Sequence, residues 1–139
     1  MAPRPALSLM LVVALTACGD SPTDINDSGI TLLEPAEGAV LANACMLDAA
    51  PSIVWEFDWS DVPGATRYHL FVKADTAPHP AIDVSGLTHS DYRSERSVYI
   101  INTNLDGWTW RVRAQVGTEW GPWTEERGFS VEPLNTSCL

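Results

Sequence analysis

Strict alternation between apolar and polar residues is the feature that most limits the folds open to this chain. In "WTWRVRAQV", from Trp108 to Val116, the apolar side chains share one face and the polar side chains share the other. The run "IVWEFDWS" places Trp55 and Trp59 on one face in the same way. A period of two is typical of a half-buried β-strand, and no window has a helical repeat of useful length. The sequence therefore predicts an all-β fold with Trp55, Trp59 and Trp110 in its core.

Other β-rich runs are separated by turn residues at intervals of about ten residues. They are "ITLLEP" (30–35), "RYHLFVK" (67–73), "AIDVSG" (81–86), "SVYIIN" (97–102) and "RGFSVEP" (127–133). With the two alternating runs they make about seven strands. Seven short strands in a single small domain predict an antiparallel β-sandwich.

The order of these pieces resembles that of a fibronectin type III domain. The matching segments are "LLEPAEGAVL", "FDWSDVPGATRYHLFV", "GWTWRVRA" and "GPWTEERGFSV", and the resemblance covers residues 30–133. The resemblance implies a seven-stranded antiparallel sandwich of the fibronectin type III or immunoglobulin-like class. The chain departs from the family in three places. Trp108 stands where a Tyr is usual, the connection from Pro35 to Pro51 is long, and the turn ending at Gly107 is short.

The N-terminal segment has the order of features found in an export signal. A single basic residue, Arg4, precedes a short apolar run, which is too short for the roughly 20 residues that span a bilayer. The run ends in "LTAC", Leu15 to Cys18, which resembles a bacterial lipobox. The resemblance implies a cleaved signal peptide over residues 1–17, with lipid (palmitate among its acyl chains) on Cys18. The alternative is an ordinary signal with a chance cysteine near its cleavage site.

The segment after the lipobox and the net charge of the chain indicate how the protein is held at the envelope and which partners it excludes. Residues 18–29, "CGDSPTDINDSG", hold one large apolar residue and predict a flexible linker. Gly19, rather than Asp, follows the lipobox cysteine, which favours the outer membrane under known lipoprotein sorting rules. The net charge of −10 argues against nucleic acid as a partner, since nucleic-acid binding needs a basic surface. The same charge argues against electrostatic docking on anionic lipid. Contact with the membrane is therefore expected through the lipid anchor.

Two cysteines are left once the lipobox resemblance assigns Cys18 to lipid. Cys45 lies in the long connection after the first strand, and Cys138 lies in the C-terminal tail, residues 134–139. An exported protein matures where disulfides persist, which favours a bridge over two free thiols. The fibronectin type III resemblance implies that both cysteines lie at the same pole of the sandwich.

Four residues near the C-terminus allow two interpretations. "EWGPWTE" is similar to the W-S-x-W-S element of cytokine-receptor type III domains, where Trp rings stack between Arg side chains of a neighbouring strand. That resemblance implies a Trp/Arg ladder made of Arg111, Arg113, Trp120 and Trp123. In the other interpretation, Trp120 and Trp123 are an exposed platform for a glycan.

No motif indicates catalysis, a metal site or a cofactor. His69, His79 and His89 are ten residues apart, which matches no compact ligand spacing, and neither Cys45 nor Cys138 belongs to a C-x-x-C pair. No nucleophile elbow is present. The sequence thus predicts a non-catalytic, lipid-anchored module of the bacterial envelope that serves adhesion, interaction or spacing, with a protein or glycan as its unidentified partner. The alternative is a carbohydrate-binding module.

Overall fold

The computed structural model describes residues 27–48 and 50–137, which form nine strands and no helix. The strands are β1 (Leu32–Glu34), β2 (Ala39–Leu41), β3 (Ile53–Trp59), β4 (Ala65–Ala74), β5 (Ile82–Leu87), β6 (Asp91–Arg96), β7 (Trp108–Val116), β8 (Glu119–Trp120) and β9 (Arg127–Val131). The prediction of an all-β fold is therefore confirmed. Within these residues, no helix has the length and apolar character needed to cross a bilayer.

The strands form two sheets. The smaller sheet has the order β1-β3-β6, and the larger has the order β2-β9-β7-β4-β5, with β8 added beside β7. The longest pairing joins β4 to β7 from Ala65↔Val116 to Ala74↔Trp108, so these two strands form the centre of the larger sheet. Their outward-facing side chains therefore lie side by side.

The core lies between the sheets and is rich in aromatic rings. Trp55 of β3 meets Trp108 of β7 edge to face, with ring centroids 5.2 Å apart. Phe57 meets Trp110 in the same manner at 5.3 Å. Trp59 and Trp110 are 1% and 0% exposed. The alternating pattern therefore placed the three predicted core tryptophans correctly, and the edge-to-face geometry adds about 0.5–1.5 kcal/mol per pair beyond the buried area.

The direction of the strands gives the sandwich two distinct poles. At the proximal pole, the described chain enters, and the backbone of Thr31 exchanges hydrogen bonds with Ser60, beyond the end of β3. The distal pole lies at the other end, where β3 and β7 begin and β9 ends. It carries the connecting segments 42–48, 50–52, 75–81 and 97–107, together with residues 132–137.

The strand count and the strand directions differ from the prediction. The first predicted strand, residues 30–35, contains β1, and β2 is an additional strand that follows Pro35 and the turn ending at Gly38. The short β8 adds another strand, so the described residues contain nine where about seven were predicted. The expectation of a wholly antiparallel sandwich was wrong at one pair, since β2 runs parallel to β9 with Ala39 opposite Phe129. That parallel pair makes the larger sheet mixed.

The fifth predicted strand lies in a neighbouring segment. "SVYIIN" was predicted as a strand from its β-branched composition, but only residues 91–96 form β6. β6 pairs with β3 up to Ile53↔Arg96, and Ile53 is the first residue of β3. Beyond Arg96 the chain has therefore passed the end of its partner strand, so residues 97–102 form a loop. Composition alone could not locate that end.

Val116 also departs from the pattern. The alternation predicted it on the inward face with Trp108, yet it is 51% exposed. It is the last residue of β7 and precedes the turn at Gly117, which has φ 63°. The period of two holds along the strand, but burial ends where the strand does.

Candidate functional site

The outer face of β4 and β7 carries the candidate site. Arg111 and Arg113 alternate with the buried Val112 on β7, so their side chains leave the core. The register sets Phe71 of β4 opposite Arg111 and His69 opposite Arg113. Directly opposed residues on one face of a sheet lie close enough for their side chains to interact. Two cationic and two aromatic side chains thus share a single patch.

The segment from Trp120 to Thr124 lies along the free stretch of β7 and brings two further rings to this patch. Trp120 of β8 pairs with Gln115, and the amide of Gly121 donates to the carbonyl of Ala114 at 2.8 Å. Further along, the amide of Thr124 donates to the Val112 carbonyl at 2.9 Å. These bonds fix the backbone on both sides of Trp123.

Thr124 also completes the edge of β7 with its side chain. Its Oγ1 accepts a hydrogen bond from the amide of Val112 at 3.1 Å. The hydroxyl therefore satisfies a backbone donor that would otherwise need a strand partner. This bond gives a physical reason for a hydroxyl residue directly after Trp123.

The four residues of the predicted Trp/Arg ladder come together in the order Arg111, Trp123, Arg113, Trp120. The Arg111 guanidinium carbon lies 4.7 Å from the Trp123 ring centroid, and that of Arg113 lies 4.5 Å from the same ring. Arg113 also lies 4.9 Å from the Trp120 ring. All three distances fall within the roughly 6 Å at which a cation is attracted to an aromatic face. Trp123 thus has contacts with both guanidinium groups.

Two further side chains, which sequence reasoning missed, belong to this patch. Phe71 lies 5.0 Å from the Arg111 guanidinium and 6.2 Å from the Trp123 ring. The His69 ring lies 4.7 Å from that of Trp123. Alternation in "RYHLFVK" did place Phe71 and His69 outward, but the register of β4 on β7 was unknown. The only available signal was an aromatic pair on an outward face.

His69 connects the Trp/Arg ladder to the neighbouring strand. Its Nδ1 accepts a hydrogen bond from Arg113 Nε at 3.2 Å, and Arg113 Nη2 lies 3.1 Å from the same atom. On the other side, His69 Nε2 lies 2.6 Å from the carboxylate of Asp83 on β5. Because Nδ1 is the acceptor, this arrangement favours the tautomer in which Nε2 carries hydrogen and donates to Asp83. Asp83, His69 and Arg113 thus form a chain of polar contacts across three strands.

Arg111, at the other end of the ladder, is held less tightly. Its Nη1 lies 3.5 Å from a carboxylate oxygen of Glu126, and the two side chains are 32% and 49% exposed. An ion pair with that exposure contributes at most about 1 kcal/mol. The buried Nε of Arg111 has no hydrogen-bond partner among the described residues. The contacts with Phe71 and Trp123 are therefore the main restraint on this side chain.

The remaining candidate residues lie apart from the ladder or outside the described chain. His79 and His89 lie in exposed connections, and the described residues contain no group of three or more potential metal ligands. Cys18 and Cys138 fall outside the described residues. Cys45 forms an isolated parallel bridge with Asn135, and the amide of Met46 donates to the Asn135 carbonyl at 3.0 Å. The backbone around Cys45 thus lies beside the segment that leads to Cys138.

The side chains of the ladder and its neighbours mainly contact one another. The guanidinium groups cover the Trp123 ring, and His69 already has partners at both ring nitrogens. The chain matches no protein-family model, and no curated protein is significantly similar to it.

Proposed function

We propose that the chain is a bacterial lipoprotein that holds a non-catalytic, fibronectin type III-like module at a membrane of the cell envelope. Lipid at Cys18 would anchor it, residues 18–29 would form the tether, and the β-sandwich would serve adhesion, interaction or spacing. The proposal places the module in the cell envelope, on the extracytoplasmic side and in the outer membrane.

The position of the chain entry supports this arrangement. The first described residues lie at the proximal pole, so a tether from Cys18 would lead to one end of the sandwich. The distal pole would then point away from the membrane. The division into β1-β3-β6 and β2-β9-β7-β4-β5 is compatible with the type III resemblance, since that family shares the two-sheet sandwich architecture.

The two guanidinium contacts of Trp123 are the observation that best supports a structural role for the tryptophans. Its ring has guanidinium groups at 4.7 Å and 4.5 Å, from Arg111 and Arg113. A sugar that stacked on this ring would have to displace at least one of these side chains. The Trp/Arg ladder therefore acts as outer packing that fastens the segment between β8 and β9 to β7.

A carbohydrate-binding module is the second candidate, and one observation favours it. Trp120 lies at the end of the ladder, and among the described residues Arg113 is its only guanidinium contact. Its partly exposed ring could therefore offer one face to a sugar. Arg113 already lies over one face of the Trp120 ring, so a glycan could stack only on the other face of this single ring.

Membrane fractionation tests the anchor. We expect the parent protein to remain with the membrane and the Cys18→Ser variant to be released in soluble form, because several acyl chains give stable anchoring. Cys138→Ser is the matched control, since it removes a cysteine but leaves the lipobox intact. A Cys18→Ser protein that stays with the membrane as the parent does would refute the lipoprotein assignment.

Glycan pull-down separates the two roles of the tryptophans. The scaffold role predicts that Trp123→Ala lowers the melting temperature and that the parent protein is not retained on immobilised envelope polysaccharide. If the parent is retained, and Trp120→Ala abolishes retention without changing the melting temperature, the carbohydrate-binding alternative is correct.

A further inference from the structure

The large exposed apolar side chains are concentrated at the distal pole. Eight such residues occur in the described chain, and five of them lie on the distal connections. Met46 and Leu47 follow β2, while Val98, Tyr99 and Ile101 follow β6, and their exposed fractions range from 43% to 64%. Exposed apolar residues scattered singly need no explanation, but a concentration of them at one end of a domain favours an interaction site there. These five residues are called the distal apolar surface below.

The two loops that carry this surface are fastened to each other. The side-chain amide of Asn43 donates to the Ile100 carbonyl at 2.8 Å, and its carbonyl oxygen accepts from the Ile100 amide at 2.9 Å. Asn43 also donates to the Glu132 carbonyl at 3.0 Å. The half-buried side-chain amide of Asn43 thus joins the β2–β3 loop, the β6–β7 loop and the segment after β9. A surface held in place before binding loses less conformational entropy when a partner docks.

A small apolar cavity opens beside the same loops. Its volume is about 40 Å³, and its lining includes Ile82, Val98, Ile100 and Trp108. One water molecule needs about 10–15 Å³ of cavity volume, so this cavity has room for a group of a few heavy atoms. That is the size of the branched end of an aliphatic side chain. The cavity lies between the starts of β5 and β7 and the end of β6.

The charge of the distal pole indicates what kind of partner fits. The connections that form it carry Asp48, Asp75, Asp106 and Glu132, and they contain no Lys or Arg. Arg96, at the end of β6, is the cation nearest to them along the chain and contributes to the cavity lining. The chain as a whole has a net charge of −10. A basic partner is therefore favoured at long range, and a second copy of this acidic chain is repelled.

We propose that the distal apolar surface is a docking site for a basic protein segment that carries an aliphatic anchor residue. The anchor side chain enters the cavity beside Val98 and Ile100, and flanking Lys or Arg residues face the acidic connections. This inference rests on the proposed function, because a tether at the proximal pole is what turns the distal pole towards an extracytoplasmic partner. It adds a partner class and a surface, neither of which the Trp/Arg ladder supplies.

Fluorescence anisotropy with defined peptides tests the proposal. The probe is a labelled peptide in which one central Leu is flanked by Lys residues, and the protein is the full chain carrying Cys18→Ser. Two comparison peptides replace either the Lys residues with Glu or the central Leu with Ser. We expect saturable binding of the Lys–Leu peptide and binding at least about tenfold weaker for both comparison peptides, as for the loss of an interface anchor.

Protein variants locate the binding. Ile101→Ser and Leu47→Ser remove side chains that are 55% and 64% exposed, so neither change opens the core. Val116→Ser is the matched control, because Val116 is 51% exposed but lies at the proximal end of β7. We expect about a tenfold loss of affinity for the two distal variants and no change for the control.

Several outcomes would overturn the proposal. They are the absence of saturable binding, equal binding of the Lys and Glu peptides, and equal affinity for parent and distal variants. Self-association of the parent that Ile101→Ser abolishes would make a second copy the occupant, which also overturns it. Binding of the protein to neutral lipid vesicles, without binding of the Lys–Leu peptide, would also overturn the proposal. Failure of the proposed function has a different readout, since membrane fractionation of Cys18→Ser reports on the anchor alone.

Discussion

Arg113 joins both rings of the Trp/Arg ladder to His69 on the outer face of the larger sheet. Its guanidinium carbon lies 4.5 Å and 4.9 Å from the centroids of Trp123 and Trp120, and it also bonds to His69 Nδ1. Each cation–π contact contributes about 0.5–1 kcal/mol near a surface. A net hydrogen bond adds about 0.5–1.5 kcal/mol. Arg113→Ala should therefore lower the free energy of unfolding by about 1.5–3.5 kcal/mol.

Thermal and denaturant unfolding measure this loss. A change of 1 kcal/mol shifts the melting temperature of a domain of about 100 residues by roughly 4 °C or more, so Arg113→Ala should lower it by roughly 6–14 °C. Arg113→Lys should recover less than half of the loss, because an ammonium keeps the charge but lacks the planar fork. Lower stability with unchanged denaturant dependence would indicate that the fold itself is retained.

Arg93 provides the matched control. It also has two acidic partners, Glu56 at 3.4 Å and Glu95 at 2.9 Å, but its side chain is 55% exposed and none of the described rings covers it. Exposed ion pairs of this kind contribute about 0–1 kcal/mol. We expect Arg93→Ala to change stability by less than about 0.5 kcal/mol. If Arg113→Ala and Arg93→Ala have the same small effect, the ring contacts do not stabilise the domain and the scaffold interpretation is refuted.

Three further changes test other parts of the structure. Cys45→Ala should lower stability by about 2–5 kcal/mol if Cys45 and Cys138 are bonded, and the unreduced parent should be lighter than the reduced form by two hydrogen atoms; equal masses would exclude the bond. Gly107→Ala should cost about 1–3 kcal/mol, because φ is 76° and the new Cβ would lie 2.5 Å from the Asp75 carboxylate, whereas Gly86→Ala meets no atom within 4 Å and should be nearly neutral. Thr124→Val removes the acceptor of the Val112 amide and should cost about 1–3 kcal/mol in denaturant unfolding; an effect no larger than that of Thr118→Val at the exposed turn would contradict this role.

The sequence pattern was most informative where each strand is half buried. In β3 and β7 the inward residues could be identified one by one, apart from Val116 at the end of β7, because side chains alternate strictly across a sheet. The burial of Trp55, Trp59 and Trp110 follows from that rule and from the large apolar area of each ring. Arg111 and Arg113 were assigned to the outer face by the same alternation. None of these assignments required knowledge of the neighbouring strands.

The strand ends and the strand partners were not open to the same reasoning. β6 was missed because "DYRSER" is polar at nearly every position, and its backbone bonds to β3 are what make it a strand. Its single buried side chain, Ser94, gives little signal in the sequence. The parallel pairing of β2 with β9 likewise joins residues about 90 positions apart. Such pairings depend on the whole sheet and leave no local pattern.

The sequence by itself determined the class of fold, the inward face of the long strands and the residue types that can form cation–π contacts. Only the tertiary structure decided that His69 and Phe71 join Arg111 and Arg113, and that Asp83 holds His69 from the far side. It also decided that five apolar residues from two separate loops share the distal pole. The physical reason is that alternation is a property of one strand, whereas cross-strand register and loop docking are fixed by contacts between segments distant along the chain.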